Sequence, residues 1–178
     1  MSLNKFFNPK SVAIIGASEN PKKFGHVILK NYTEMGFIGK IYPINPTCDS
    51  ILGIKCKKSV LDIEEPVDSA VIVVPPEVAN YALRECVKKG IEAVTMITAG
   101  YREIGGKGIA REEKLKSIIK GTKTRIVGPN CIGIYDPLGK VDTLFLPDYK
   151  LKRPSAGSIA FISQSGAFAL SLLDWAAT

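Results

Sequence analysis

The sequence holds a single histidine, His26, and its four cysteines, Cys48, Cys56, Cys86 and Cys131, never fall at C-x-x-C spacing. That scarcity argues against the ligand sets of structural zinc and makes a disulfide framework unnecessary. No metal is expected, and the thiols read as reduced and mostly buried. No apolar run approaches the roughly 20 residues that cross a bilayer, and the first residues lack the apolar core of a secretory signal. No membrane is expected, and the chain reads as cytoplasmic. Cations outnumber anions, 24 to 17, for a formal charge of +7. They are scattered rather than interleaved with aromatics, and no recognition helix accompanies them, so no nucleic acid is expected. A polyphosphate ligand, an acidic partner or lysines that merely solvate the surface account for the surplus equally well.

At 178 residues there is room for one good core, or for one domain and part of a second. Strand-like apolar runs recur at 12–15, 40–44, 69–74, 93–97 and 124–127, several of them apolar on both faces, as fully buried parallel strands are. Helical spacing fills 25–35, 77–89 and 107–120, the last with Glu112 four residues before Lys116. The alternation predicts an α/β fold, a Rossmann-like doubly wound parallel sheet with right-handed crossovers. Ligands of such sheets bind at the carboxyl ends of the strands. Each predicted strand ends there in small or turn-forming residues: Gly16 to Ser18, Pro43 to Pro46, Pro75 with Pro76, Thr98 to Gly100, Gly128 to Asn130.

The chain is organised around the first of these loops. The run Val12, Ala13, Ile14, Ile15 breaks at Gly16 and resumes as a helix near Gly25. Without a Cβ at Gly16 a ligand can approach the backbone, and the free N–H groups of the helix suit an anion; a side chain there is expected to project into the ligand's space. The loop is not the dinucleotide fingerprint G-x-G-x-x-G, which would need small residues where Ser18 and Pro21 stand. The second strand ends in Ile44, Asn45 and Pro46, without the acid that holds a nicotinamide dinucleotide's ribose, although Asp49 is near enough to swing in. Lys22 and Lys23 are placed to meet a phosphorylated ribose or a pyrophosphate, or else form a solvated basic loop.

Six motifs, in order, resemble the α subunit of the nucleoside-diphosphate-forming acyl-CoA synthetases. They are Ile14-Ile15-Gly16-Ala17-Ser18, Tyr42-Pro43-Ile44-Asn45-Pro46, Val73-Val74-Pro75, Ile97-Thr98-Ala99-Gly100, Gly128-Pro129-Asn130-Cys131-Ile132-Gly133 and Phe161-Ile162-Ser163-Gln164-Ser165-Gly166. The ADP-forming acetyl-CoA synthetases are the nearer resemblance, the succinyl-CoA synthetase α subunit the more distant. The resemblance implies that residues 1–146 are a CoA-binding domain, 147–157 a linker, and 158–178 the start of a flavodoxin-like second domain. It implies CoA phosphates at Ser18, Glu19, Asn20 and Pro21, with Lys22, Lys23, Phe24 and Gly25 alongside. Further CoA contacts map to Pro43, Asn45 and Pro46, to Val74 and Pro75, to Ile97, Thr98 and Ala99 near the pantetheine, and to Asn130. An acid at the second strand would repel the 3′-phosphate of CoA, which agrees with its lack here.

In the second segment a strand is expected at 158–162, and Ser163, Gln164, Ser165 and Gly166 open a helix whose N-terminus is a phosphate site. A serine nucleophile there would need a base, and His26 lies in the first helix of the other domain. The family's phosphorylated histidine lies further along the second domain than this sequence runs, so no catalytic residue is assigned and His26 reads as solvated or locally hydrogen-bonded. Leu170 stands where the succinyl enzymes carry a tyrosine, so succinate is not supported. The last helix, with Phe168, Leu170, Leu172, Leu173 and Trp175, is apolar nearly all round and is expected inside a larger domain of which this chain is a fragment. ATP, ADP and Mg²⁺ are implied only through an ATP-grasp β subunit or domain, the other partner being the remainder of the α subunit. The competing readings are an NAD(H)-binding redox sensor or dehydrogenase module, a non-catalytic CoA-binding regulator, and an acetyltransferase fusion.

Overall fold

The computed structural model of the protein describes residues 3–178. Strand β1 (Ser11–Ile15) leads into helix α1 (Phe24–Glu34) and β2 (Lys40–Ile44), followed by a small hairpin of β3 (Ser50–Ile51) and β4 (Ile54–Lys55). Then come β5 (Ser69–Ile72), α2 (Pro76–Lys89), β6 (Ala93–Met96), α3 (Gly106–Ile119) and β7 (Arg125–Val127), a second hairpin of β8 (Tyr135–Asp136) and β9 (Val141–Asp142), and α4 (Gly166–Ala176). The main sheet is parallel throughout, in the order β2-β1-β5-β6-β7. The expected doubly wound sheet is therefore present, and its order reverses between β1 and β5, the place where such sheets open a crevice for ligands.

Side chains of a strand alternate between faces, and β1, buried along its whole length, feeds two cores. Ala13 and Ile15 pack with Leu83, Cys86 and Leu115 under α2 and α3, while Val12 and Ile14 pack with Ile28, Leu29 and Tyr32 of α1. Helix α2 begins with Pro76 at its first position and ends on Gly90 in the left-handed conformation, with Lys88 and Lys89 in the last turn. The Glu112–Lys116 pair read from the sequence is present at 3.6 Å. No helix among the described residues is long and apolar enough to cross a membrane.

Three differences from the sequence reading stand out. The crossover from β2 to β5, where the sequence pattern indicated no element, carries the hairpin and a 3-10 turn (Val60–Asp62); Ser59 and Asp62 cap that turn reciprocally. Strands β5 and β6 stop at Ile72 and Met96, before Val74 and Ile97, although the Val73 N–H still donates to the Ile15 carbonyl at 2.9 Å and the Ile97 N–H to the Ile72 carbonyl at 3.0 Å. The strand expected at 158–162 does not form. Strands need a lateral partner, and no strand among the described residues lies beside this segment, whose Ile159 and Ile162 are 92% and 97% exposed. Helix α4 forms where expected, but its Phe168 and Trp175 face solvent rather than a core.

Residues beyond β7 close back over α1. Asn31 Nδ2 donates to the Leu144 carbonyl at 2.7 Å, Leu144 and Leu151 are buried, and Arg153 Nε donates to Asp142 Oδ2 at 2.7 Å. The same guanidinium donates to the Leu146 and Leu151 carbonyls. The segment expected as a linker is thus docked at least as far as Arg153.

Candidate functional site

At the crevice between β1 and β5, Gly16 takes φ +100°, and an added Cβ would lie 2.5 Å from the Val73 carbonyl oxygen and 2.9 Å from Val74 Cγ1. The sequence expectation is corrected here. A side chain at Gly16 would strike the neighbouring strand rather than the ligand space. Gly25 is tighter still, its Cβ position falling 2.0 Å from the Gly16 carbonyl oxygen, so the two glycines let the first turn of α1 sit directly on the end of β1.

Between them the exposed loop is built from its own side chains. Ser18 Oγ accepts the Asn20 N–H at 3.2 Å, Asn20 Oδ1 accepts the Lys22 N–H at 2.9 Å, and His26 Nδ1 donates to the Ser18 carbonyl at 2.8 Å. His26 is thereby locally hydrogen-bonded, as the sequence suggested. Glu19, Pro21, Lys22, Lys23 and Phe24 are exposed around the loop. No side chain caps α1 at Lys23 and no acid occupies its first turn, so the leading amides remain open to an anion.

Asn45 braces this loop from β2. Its Nδ2 donates to the Ala17 carbonyl at 2.8 Å, while its Oδ1 accepts from Thr47 N at 2.8 Å and Cys48 N at 3.1 Å. Pro43 is buried inside β2, which tolerates it as an edge strand, and Pro46 is exposed beyond the strand end. Cys48 Sγ donates to Glu19 Oε2 at 3.5 Å.

A cavity of about 600 Å³ opens beside the loop. Phe24, Val74, Ile97, Thr98, Ala99 and Asn130, all read from the sequence, line it, and so do Gln164 and Gly166 from the start of α4. Two regions read separately as phosphate sites therefore border one space. Ser165 Oγ is occupied in capping α4, accepting the Phe168 N–H at 3.3 Å, and Ser163 Oγ donates to the Ser165 carbonyl at 3.1 Å. Gly16, Ser18, Glu19, Asn20, Pro21, Lys22, Lys23, Gly25, Pro43, Asn45, Pro46, Pro75, Ser163 and Ser165 are not among the lining residues.

Pro76, read with Pro75 as the loop after the third strand, also lines the cavity, whereas sequence reasoning missed Val73, Cys131, Ile132 and Phe145 as lining residues. Three of these belong to quoted motifs. Phe145 carried no signal, since it reaches the cavity by stacking on Phe24 with ring centroids 4.6 Å apart. Thr98 anchors the floor, its Oγ1 donating to the Val74 carbonyl at 2.8 Å while its carbonyl accepts the Asn130 N–H at 3.0 Å. Burial pushes the Cys131 thiol up to about 11, so it stays protonated at neutral pH and is a poor nucleophile. The walls are thus mainly apolar, with an open helix N-terminus and two exposed lysines at one side. Such a space suits a ligand with phosphates at one end and a slender, weakly polar arm at the other.

Comparison with known proteins gives the chain its relatives. Residues 10–137 match the family described as a CoA binding domain. The chain is 48% identical over 166 residues to the ADP-forming acetate–CoA ligase of Methanocaldococcus jannaschii, covering 93% of this chain and 22% of that protein. It is 42% identical over 179 residues to the α subunit of ADP-forming acetate–CoA ligase I of Pyrococcus furiosus, covering 98% and 38%. The solved acetyl-coenzyme A synthetase 1 of Ca. Korarchaeum cryptofilum, in complex with phosphate and ADP, superposes with a TM-score of 0.89 at 37% identity, covering 99% of this chain and 37% of that one. The chain therefore spans between about a fifth and two fifths of the length of these relatives.

Proposed function

The chain belongs to the CoA-binding domain family, and from that premise we propose that it binds coenzyme A along the carboxyl edge of its sheet, as the CoA-binding part of an ADP-forming acyl-CoA synthetase. The observation that carries this reading is the cavity itself, apolar along Val74, Ile97 and Phe145 and bordered by the uncapped N-terminus of α1. The pyrophosphate and 3′-phosphate lie over Gly16, Ser18, Glu19, Asn20, Pro21, Lys22 and Lys23, with Asn45 and Pro46 beside them. The pantetheine arm enters the cavity past Thr98 and Ala99 toward Asn130, so that the thiol ends near Gln164 and Gly166. Residues 1–146 are the CoA-binding domain in this reading, 147–157 the docked connection, and 158–178 the opening of a second domain.

The parent enzyme interconverts acid, CoA and ATP with acyl-CoA, ADP and phosphate, with ATP and Mg²⁺ held by an ATP-grasp partner. This chain's part is to hold CoA. Its single histidine, whose Nδ1 donates to the Ser18 carbonyl, is not assigned as a phosphoryl carrier in this reading.

Titration calorimetry with CoA, dephospho-CoA and NADH tests the assignment. CoA is expected to bind in the micromolar range or weaker, and dephospho-CoA more weakly by about 1–3 kcal/mol, the worth of a charge-assisted hydrogen bond. NADH binding as tightly as CoA overturns the reading. Acetate, ATP and CoA incubated with this chain alone are expected to give no acetyl-CoA above background, and turnover would place a phosphoryl carrier where none is assigned.

A further inference from the structure

Past the cavity floor the chain must turn from the end of β6 into α3, and it does so at Gly100. The Gly100 N–H donates to Glu103 Oε1 at 2.5 Å, and the Tyr101 N–H donates to both oxygens of the same carboxylate at 3.2 and 3.1 Å. From the opposite side Arg111 Nη1 donates to the Gly100 carbonyl. One peptide unit is therefore gripped by an anion at its N–H and by a cation at its C=O. Arg111 lies 5.9 Å from the centroid of the Tyr101 ring, and Tyr101, fully buried, donates its hydroxyl to Asn80 Oδ1 at 2.9 Å. Asn80 Nδ2 in turn donates to the Arg111 carbonyl at 3.1 Å. Partial burial works against ionisation of Glu103, yet the amides of Gly100 and Tyr101 hold its carboxyl below the usual range.

None of these four side chains lines the cavity, whereas Thr98 and Ala99, two residues and one residue before the gripped peptide, do. We propose that Glu103 and Arg111 are positioning residues that fix the Thr98 and Ala99 edge of the cavity for the pantetheine arm. A loop already held in its binding conformation loses less freedom when the ligand arrives. The proposal rests on the CoA reading above and adds the residues that shape one half of that site.

The test compares CoA with adenosine 3′,5′-bisphosphate, which ends before the pantetheine, by titration of the wild type, Glu103→Ala, Glu103→Gln and Arg111→Ala, each beside a thermal melt. The wild type is expected to bind both. The alanine variants should lose CoA affinity by ~10-fold, the scale of a charge-assisted hydrogen bond, and keep their affinity for the bisphosphate. Glu103→Gln keeps an acceptor at the same reach and should recover most of the loss. Arg111→Lys gives the same split if an alanine variant fails to fold. Unchanged CoA affinity, or an equal loss for both ligands, overturns the proposal alone; a wild type that does not bind CoA overturns the CoA reading and this proposal with it.

Discussion

At Gly16, a positive φ coincides with a Cβ position that would fall 2.5 Å from the Val73 carbonyl oxygen, so binding and stability cannot be separated by substitution there. Gly16→Val is expected to strain the backbone by about 1–3 kcal/mol before any clash is counted. In a chain of this size each kcal/mol is worth about 2–4 °C. A thermal melt and a CoA titration should both show losses, and an unchanged melting temperature would contradict the close packing of β1 on β5. The two glycines and the loop between them were legible because only glycine permits those approaches, and the sequence marks it directly. Which neighbour a Cβ would strike was not legible, since that depends on the strand order. Asn45 was read as a ligand contact from its place at a strand end; its amide is committed to the Ala17 carbonyl and the Thr47 and Cys48 amides. A side chain that shapes a loop and one that touches a ligand occupy the same position in sequence.

Among the elements, those with their own periodicity were legible: the five strands of the main sheet and three helices stand within a few residues of where the pattern put them. The hairpin between β2 and β5 was not, because strands of two residues carry no period. The segment 158–162 misled for the opposite reason, being apolar enough for a strand without a strand to pair with. Element ends also carry charge. Asp68, at the entrance to β5, accepts from Lys5 Nζ at 2.6 Å and from the Lys10 N–H at 2.7 Å, tying the first turn of the chain to the sheet. Partial burial opposes its ionisation, but those donors outweigh it and the carboxyl lies below its ordinary value of 3.8. A depressed carboxylate contributes stability that is complete above the unfolded value and is lost as pH falls through the folded one. Asp68→Asn should therefore lower the melting temperature at pH 7 and narrow the gap between pH 7 and pH 3. An equal drop at both pH values would remove the ion pair from the account.

For the molecule as a whole, the closing contact is Arg153 on Asp142, whose side chains are 13% and 6% exposed. Burial pushes the Asp142 carboxyl above its usual value, with Arg153 and the Leu144 amide pulling the other way. Removing one member of such a pair strands the other, at a cost of about 3–5 kcal/mol, whereas replacing both by apolar residues costs far less. Arg153→Ala and Asp142→Ala should each lower the melting temperature by roughly 10 °C, and Arg153→Met with Asp142→Leu should recover much of it. Additive losses in the double variant would show that the two side chains act separately. Tyr32, fully buried beneath this closure with no hydrogen-bond partner for its hydroxyl among the described residues, gives a spectroscopic reporter of the same event.

The family match ends at residue 137, yet Val141, Leu144 and Leu151 complete the core over α1. The stretch that the family describes and the stretch that folds are therefore of different length. A shuffled gene that kept only the former would leave one side of α1 bare. Lineages that recombine this module must carry its tail along, or supply from the new neighbour an apolar cover of the same shape.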